Sequence, residues 1–256
     1  MPWKTKPAVA GVQQALSKNM PKGKFFVFEG IDGCGKATQS KLLAEALRQK
    51  GYEVEKIDVP QYGNRSAAMV ENYLNGMYGS TTEVGPYRGS IFYAIDRYDI
   101  SFKVRQWLEA GKIVVADRYV ASNIGHQGGK LIQDKKEWDN YIDWLHNLEY
   151  TIFNIPKPDY TFILKISPEL SMQMSNKITD TDKQKKRIAY LGDSKKQDIH
   201  EADGLHLKNS LASYVEISKK YPEYYKIIEC QEGETFLPID VIHKKIAGLV
   251  EEKLKA

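Results

Sequence analysis

Residues Phe25–Gln39, reading FFVFEGIDGCGKATQ, carry the chain's first chemistry-bearing spacing: Gly30, four residues, Gly35, then Lys36. This matches the first seven positions of the phosphate-binding loop that receives a nucleoside triphosphate. Glycines at 30, 33 and 35 let backbone N–H groups turn inward, and the N-terminus of the following helix adds partial positive charge. Lys36 then reaches the outer phosphate oxygens. The nucleotide-binding set read from this loop is Gly30, Gly33, Cys34, Gly35, Lys36, Ala37 and Thr38. The eighth position departs from the pattern. A Ser or Thr hydroxyl would ligate Mg²⁺ there, but Ala37 stands in that place and Thr38 follows one residue later. Cys34 fills a small position in the loop, or its thiol is made reactive by the local field.

A second group lies at Asp117 and Arg118, directly after the apolar run Lys112–Ala116. A strand there would deliver both residues to the carboxyl edge of a parallel sheet, facing the phosphate loop, where ligands bind in open α/β folds. Asp117 could hold Mg²⁺ and so compensate for Ala37, and the Arg118 guanidinium could bridge donor and acceptor phosphates. Arg97, in the segment YAIDRYDI, offers another planar fork for a phosphate or a base edge, unless it pairs with its neighbouring Asp.

The elements that must position these residues are strands expected at Lys24–Glu29, Glu53–Val59, Lys112–Ala116, Tyr160–Ile166 and Tyr225–Glu229, with helical stretches between them. That alternation predicts an α/β fold in three layers, a five-stranded parallel sheet with helices on both faces. Apolar runs such as FFVF and IVVA suit strands buried on two sides. Asp134 to Phe153 reads as one long amphipathic helix, ended by Pro156 and Pro158. Asn176 to Lys196 is polar without a burying face and reads as a mobile surface segment. Residues 1–22 form an N-terminal extension with a short helix near Val9 to Ser17, and residues 23–256 form one domain whose lid spans about 176–200.

The whole chain bounds the function. Its 256 residues carry a net charge of +4 with dispersed basic residues, which disfavours nucleic acid as a partner and suits small polyanions. No apolar run is long enough for a membrane span or reads as a secretion signal. Two cysteines, Cys34 and Cys230, form neither a disulfide framework nor a zinc cluster, and the expected location is the reducing cytoplasm.

The segments GIDGCGKATQ, YAIDRY and DRYVASNIGHQGG, in that order and spacing, resemble the thymidylate kinase family of P-loop nucleoside monophosphate kinases, over about residues 24 to 250. The resemblance implies transfer of the γ-phosphoryl group of ATP to dTMP, with Mg²⁺, in dTTP synthesis, and a homodimer. It implies that Asp32 contacts the acceptor sugar's 3′-hydroxyl, Tyr93 stacks on thymine, Arg97 bonds thymine's carbonyl edge and Arg118 meets the acceptor phosphate. Ser122, Asn123 and Gln127 fall near the base, and His126 replaces an aromatic that crowds the sugar's 2′ position. Pro60-Gln61-Tyr62 lacks an acceptor-phosphate arginine, for which Arg65 could stand in. Gly33 implies that catalytic charge comes from the lid, where Lys183, Lys185, Lys186 and Arg187 cluster, with Arg187 as the catalytic residue. The alternatives are a deoxynucleoside kinase, which would want a carboxylate at the tip of the second strand, and an inactive nucleotide-binding relative.

Overall fold

A computed structural model describes residues 23–176 and 204–255. The expected helix at Val9 to Ser17 and the basic cluster Lys183 to Arg187 lie outside the described residues.

Five strands, β1 (Lys24–Glu29), β2 (Val54–Asp58), β3 (Ile113–Asp117), β4 (Tyr160–Lys165) and β5 (Tyr225–Glu229), form one parallel sheet in the order β2-β3-β1-β4-β5. The expected strands match these to within a residue or so at each end. β1 is central, and Phe25 through Phe28 are fully buried because both sheet faces are covered. Its ring stack continues sideways, Phe26 and Phe28 lying 6.2 and 5.5 Å from Phe162 of β4.

Among the described residues, eight α-helices flank the strands: α1 (Lys36–Gln49), α2 (Ala68–Leu74), α3 (Thr81–Glu109), α4 (Val120–His126), α5 (Lys135–His146), α6 (Pro168–Asn176), α7 (Gly204–Lys220) and α8 (Ile239–Lys255). Ser80 caps α3, its hydroxyl accepting from the Glu83 amide while Glu83 reaches back to the Ser80 amide. Gly85, at φ 71°, kinks the helix one residue before Pro86, which is well placed to restart it.

The single helix expected over Asp134 to Phe153 is in fact two pieces. Asp134 is the N-cap of α5, accepting from the amides of Lys136 and Glu137, and α5 gives way at His146 to a π turn, Asn147–Ile152. Trp138, Tyr141, Ile142 and Leu145 are buried as the periodicity requires. The wider π turn changes the phase of the helix and carries Glu149 into the core, fully buried.

Candidate active site

The site assembles where β1 and β3 end side by side, Phe28 standing in register with Asp117. Gly30 turns the chain out of β1 at φ 134°, and a Cβ there would lie 2.6 Å from the Leu164 carbonyl oxygen. Only glycine fits. Gly35, at φ 93°, is the last residue before α1, and Lys36 is the first within it. The Lys36 side chain is 6% exposed and its Nζ donates to the carbonyls of Gly30 and Ile31 at 3.0 Å each. It lies 3.9 Å from a carboxylate oxygen of Asp32.

Arg118 reaches the same carboxylate from the other side. Its backbone is left-handed at φ 70°, a strained conformation of the kind concentrated at functional sites, while its amide still bonds the Phe28 carbonyl at 2.9 Å. The chain therefore leaves β3 in a direction that its own strand geometry would not give. Nη2 pairs with Asp32, and Nη1 lies 3.4 Å from the Ser122 hydroxyl and 3.2 Å from His126 Nε2. Lys36 and Arg118, expected to face one phosphate bridge, thus share one carboxylate.

Glu29, the last residue of β1, organises the neighbouring loop although it is fully buried. One carboxylate oxygen accepts from the amides of Tyr119 and Ser122 at 2.7 and 2.9 Å, the other from the hydroxyls of Ser122 at 2.7 Å and Tyr214 at 3.1 Å. Burial raises its pKa, against the opposing pull of the Arg118 charge and these hydrogen bonds. The sequence signal was present but unread: a lone carboxylate closing an otherwise apolar, two-sided strand. Burial likewise pushes the Cys34 thiol up, against the lowering pull of the Lys36 and Arg118 charges.

The imidazoles of His126 and His206 continue the network. Arg118 can only donate, so His126 Nε2 accepts, and the His126 Nδ1–H then faces His206 Nε2 at 3.2 Å. His206 comes from α7, as does Tyr214, and nothing local in the sequence announced either.

Of the remaining expected residues, Asn123 is buried and donates to the Ser90 carbonyl at 3.1 Å, joining α4 to α3. Gln127 is also buried; its side-chain carbonyl accepts from Lys130 Nζ at 2.8 Å, while its side-chain nitrogen has no partner among the described residues. Tyr93 lies on α3, edge-on to Tyr73 at 6.3 Å. Arg97 is tied into the core. Its guanidinium is 1% exposed and bonds Glu149 through Nε at 2.9 Å and through Nη2, while Nη1 donates to the Tyr119 carbonyl at 3.3 Å. It therefore braces the backbone beside Arg118. Its partner is also Glu149 and not the adjacent Asp96, which accepts from the Gln61 amide and the Ser66 hydroxyl. Glu149→Ala strands this buried cation, and we expect it to cost about 3–5 kcal/mol in urea unfolding, with Glu149→Gln costing less. Equal, small losses in both would remove the pair from the stability account.

Around this cluster, Ser171 of α6 donates its hydroxyl to the Asp32 carbonyl, and Phe236, in the two-stranded hairpin after β5, stands against Gly35. Arg65 is exposed on a short 3₁₀ turn. β2 ends on Asp58, so its tip carries an acid, and that side chain is paired with Lys56. For Mg²⁺ the donors on offer are the carboxylates of Asp32 and Asp117, both of which bear on Cys34 electrostatically, in a site where Ala37 brings no hydroxyl. One or two carboxylates plus phosphate and water oxygens are the usual protein share for that ion, so the residues fit it.

A phosphate loop on the central strand, an arginine at the next strand's tip and the order 2-3-1-4-5 define a P-loop phosphotransferase. The chain belongs to the thymidylate kinase family, whose model matches residues 28–232. It is 28% identical over 223 residues to the thymidylate kinase of Pelotomaculum thermopropionicum, covering 86% of this chain and 92% of the relative. It is also 28% identical over 241 residues to a probable thymidylate kinase of Thermococcus gammatolerans, covering 91% and 98%. The fold is similar to the thymidylate kinase structure from Candida albicans, with a TM-score of 0.66 at 20% identity, covering 90% of this chain and 92% of that one.

Proposed function

We propose that the protein is an ATP-dependent kinase that transfers the γ-phosphoryl group of ATP to dTMP, giving dTDP and ADP for dTTP synthesis. The observation that carries this reading is the Lys36–Asp32–Arg118 cluster: two cations on either side of one carboxylate, at the carboxyl edge of the sheet. Backbone N–H groups of the loop from Gly30 to Thr38 would hold the donor phosphates with Lys36, and Arg118 would hold the acceptor phosphate.

No protein base is needed, because the acceptor phosphate is already largely ionised near neutral pH, and positioning with charge neutralisation carries the rate. Glu29 fixes the Ser122 and Tyr119 amides, and Arg97 fixes the Tyr119 carbonyl, so the chain leaving the strained Arg118 is held, while the Arg118 amide is bonded to the Phe28 carbonyl. Asp117, with Asp32 nearby, would hold Mg²⁺, which when bound neutralises phosphate charge. Tyr93, Ser122, Asn123, His126 and Gln127 line the path assigned to the acceptor nucleoside, with Arg187 supplying lid charge and the region after Glu229, at Phe236, the donor base.

Two further readings accompany this one. The face of α3 exposing Ile91, Ile95, Tyr98 and Phe102 at helical spacing supports a homodimer. Two free cysteines, and no helix among the described residues long and apolar enough to cross a membrane, support a cytoplasmic enzyme. Sedimentation velocity checks the first, returning twice the 29.2 kDa chain mass if it is right.

The test of function is a panel of acceptors with MgATP, read by chromatography of the nucleotides: dTMP, dUMP, dCMP, AMP and thymidine. The expected result is fastest conversion of dTMP to dTDP. Phosphorylation of thymidine without that of dTMP would make it a deoxynucleoside kinase, and binding of ATP and dTMP without turnover would make it an inactive relative.

A further inference from the structure

At the opposite edge of the sheet, where β4 and β5 begin, the structure holds a cavity of about 370 Å³. It opens between the C-terminal end of α5, the π turn and the loop leading into β5, far along the strands from the phosphate loop at the end of β1. Its walls are largely aromatic: Tyr150, Tyr221, Tyr224 and Tyr225 line it, with His146 and Thr161. The volume lies toward the low end of the range of small-molecule sites.

Three observations give the cavity a chemistry. Lys157, which also lines it, sits 5.1 Å from the centre of the Tyr150 ring, and Lys220 sits 5.6 Å from that of Tyr221, so cations flank the aromatic walls. His146 packs at a tilt against both rings, 5.5 Å from Tyr150 and 5.7 Å from Tyr221, and its Nε2 is a buried nitrogen with no hydrogen-bond partner among the described residues. Such orphan groups are uncommon in folded proteins and ask for a reason. Burial and the nearby Lys157 charge hold the His146 pKa down to about 4, so the ring is neutral near pH 7 and does not add a charge of its own. The acidic member, Asp143, has an exposed side chain that faces Lys220 at 3.9 Å, and Lys157 is the cation among the described lining residues.

We propose that this cavity is a second ligand site, specific for small planar aromatic anions, whose ring lies among the tyrosines and His146 and whose acidic group meets Lys157. The π turn places the site against the machinery described above: Asn147, Tyr150 and Thr151 face the cavity, and Glu149 of the same turn holds Arg97.

The test is isothermal titration of the full-length protein with 2-naphthoate, in the presence of saturating ADP and dTMP so that the nucleotide site is filled. One site per chain is expected, with a dissociation constant on the order of 10⁻⁴ M for a ligand of this size. Neutral 2-naphthalenemethanol should bind at least about tenfold more weakly, as should the anion to Lys157→Met. Tyr224→Ala, at a half-exposed wall position, should weaken both compounds. Absence of binding, equal affinity for the neutral compound, or binding that survives both substitutions unchanged would overturn the proposal. The readout is heat of binding, so it stands or falls separately from dTMP phosphorylation.

Discussion

Lys36→Ala should reduce dTDP formation by roughly 10²- to 10³-fold or more, the scale of losing one preorganised donor aimed at transition-state charge. Among the described residues no other group stands ready to substitute. The ammonium is buried in the curl of its own loop, bonded to the Gly30 and Ile31 carbonyls, and the cluster's other described cation, Arg118, is held on the far side of Asp32. The change removes a buried charge whose nearest carboxylate is 3.9 Å away, so the fold should persist, with circular dichroism unchanged and a melting temperature close to that of the parent. Affinity for ADP should fall with the rate, because the lysine holds donor phosphate in the ground state too. Turnover within tenfold of the parent enzyme would refute the assignment of this loop as the phosphate cradle.

Arg118→Lys should be nearly as damaging although it keeps the charge. The guanidinium serves three partners from a planar fork, Asp32 through Nη2 and Ser122 and His126 through Nη1. A lysine has the charge but neither the reach nor the plane. We expect kcat/KM for dTMP to drop by about 10²-fold while ADP affinity, measured by titration calorimetry, stays within a factor of two or three. That split is the diagnostic: equal losses on the donor and acceptor sides would place Arg118 at the donor phosphates or in a purely structural role. Because the left-handed backbone of Arg118 is strained for either side chain, the substitution leaves that strain in place, and the comparison isolates the fork.

Much of this was written in local patterns. Five apolar runs separated by helical periodicity specify the parallel sheet, because strand and helix burial have different repeats and each run carries its own. Gly30, Gly35 and Lys36 announce the loop, since positive φ and close backbone approach leave few residue types possible. Asp117 and Arg118 follow a buried strand, which is enough to put them at its tip. Side-chain direction and long-range pairing were not written there. A carboxylate at Glu29 could have been a solvated strand end; only the approach of α7 from 185 residues away, bringing Tyr214, and the turn at Tyr119 make it a buried hub. Arg97 shows the same limit from the other direction. Its sequence neighbour Asp96 was the natural ion-pair partner, yet a π turn 52 residues on rotates Glu149 into the core and captures the guanidinium. Local sequence determined which backbone segments form and which residues stand at their ends, because those depend on propensity and burial along a few turns. Which charges meet was decided only by tertiary packing, because a buried ion needs a partner wherever the fold can deliver one, and chain distance does not enter that requirement.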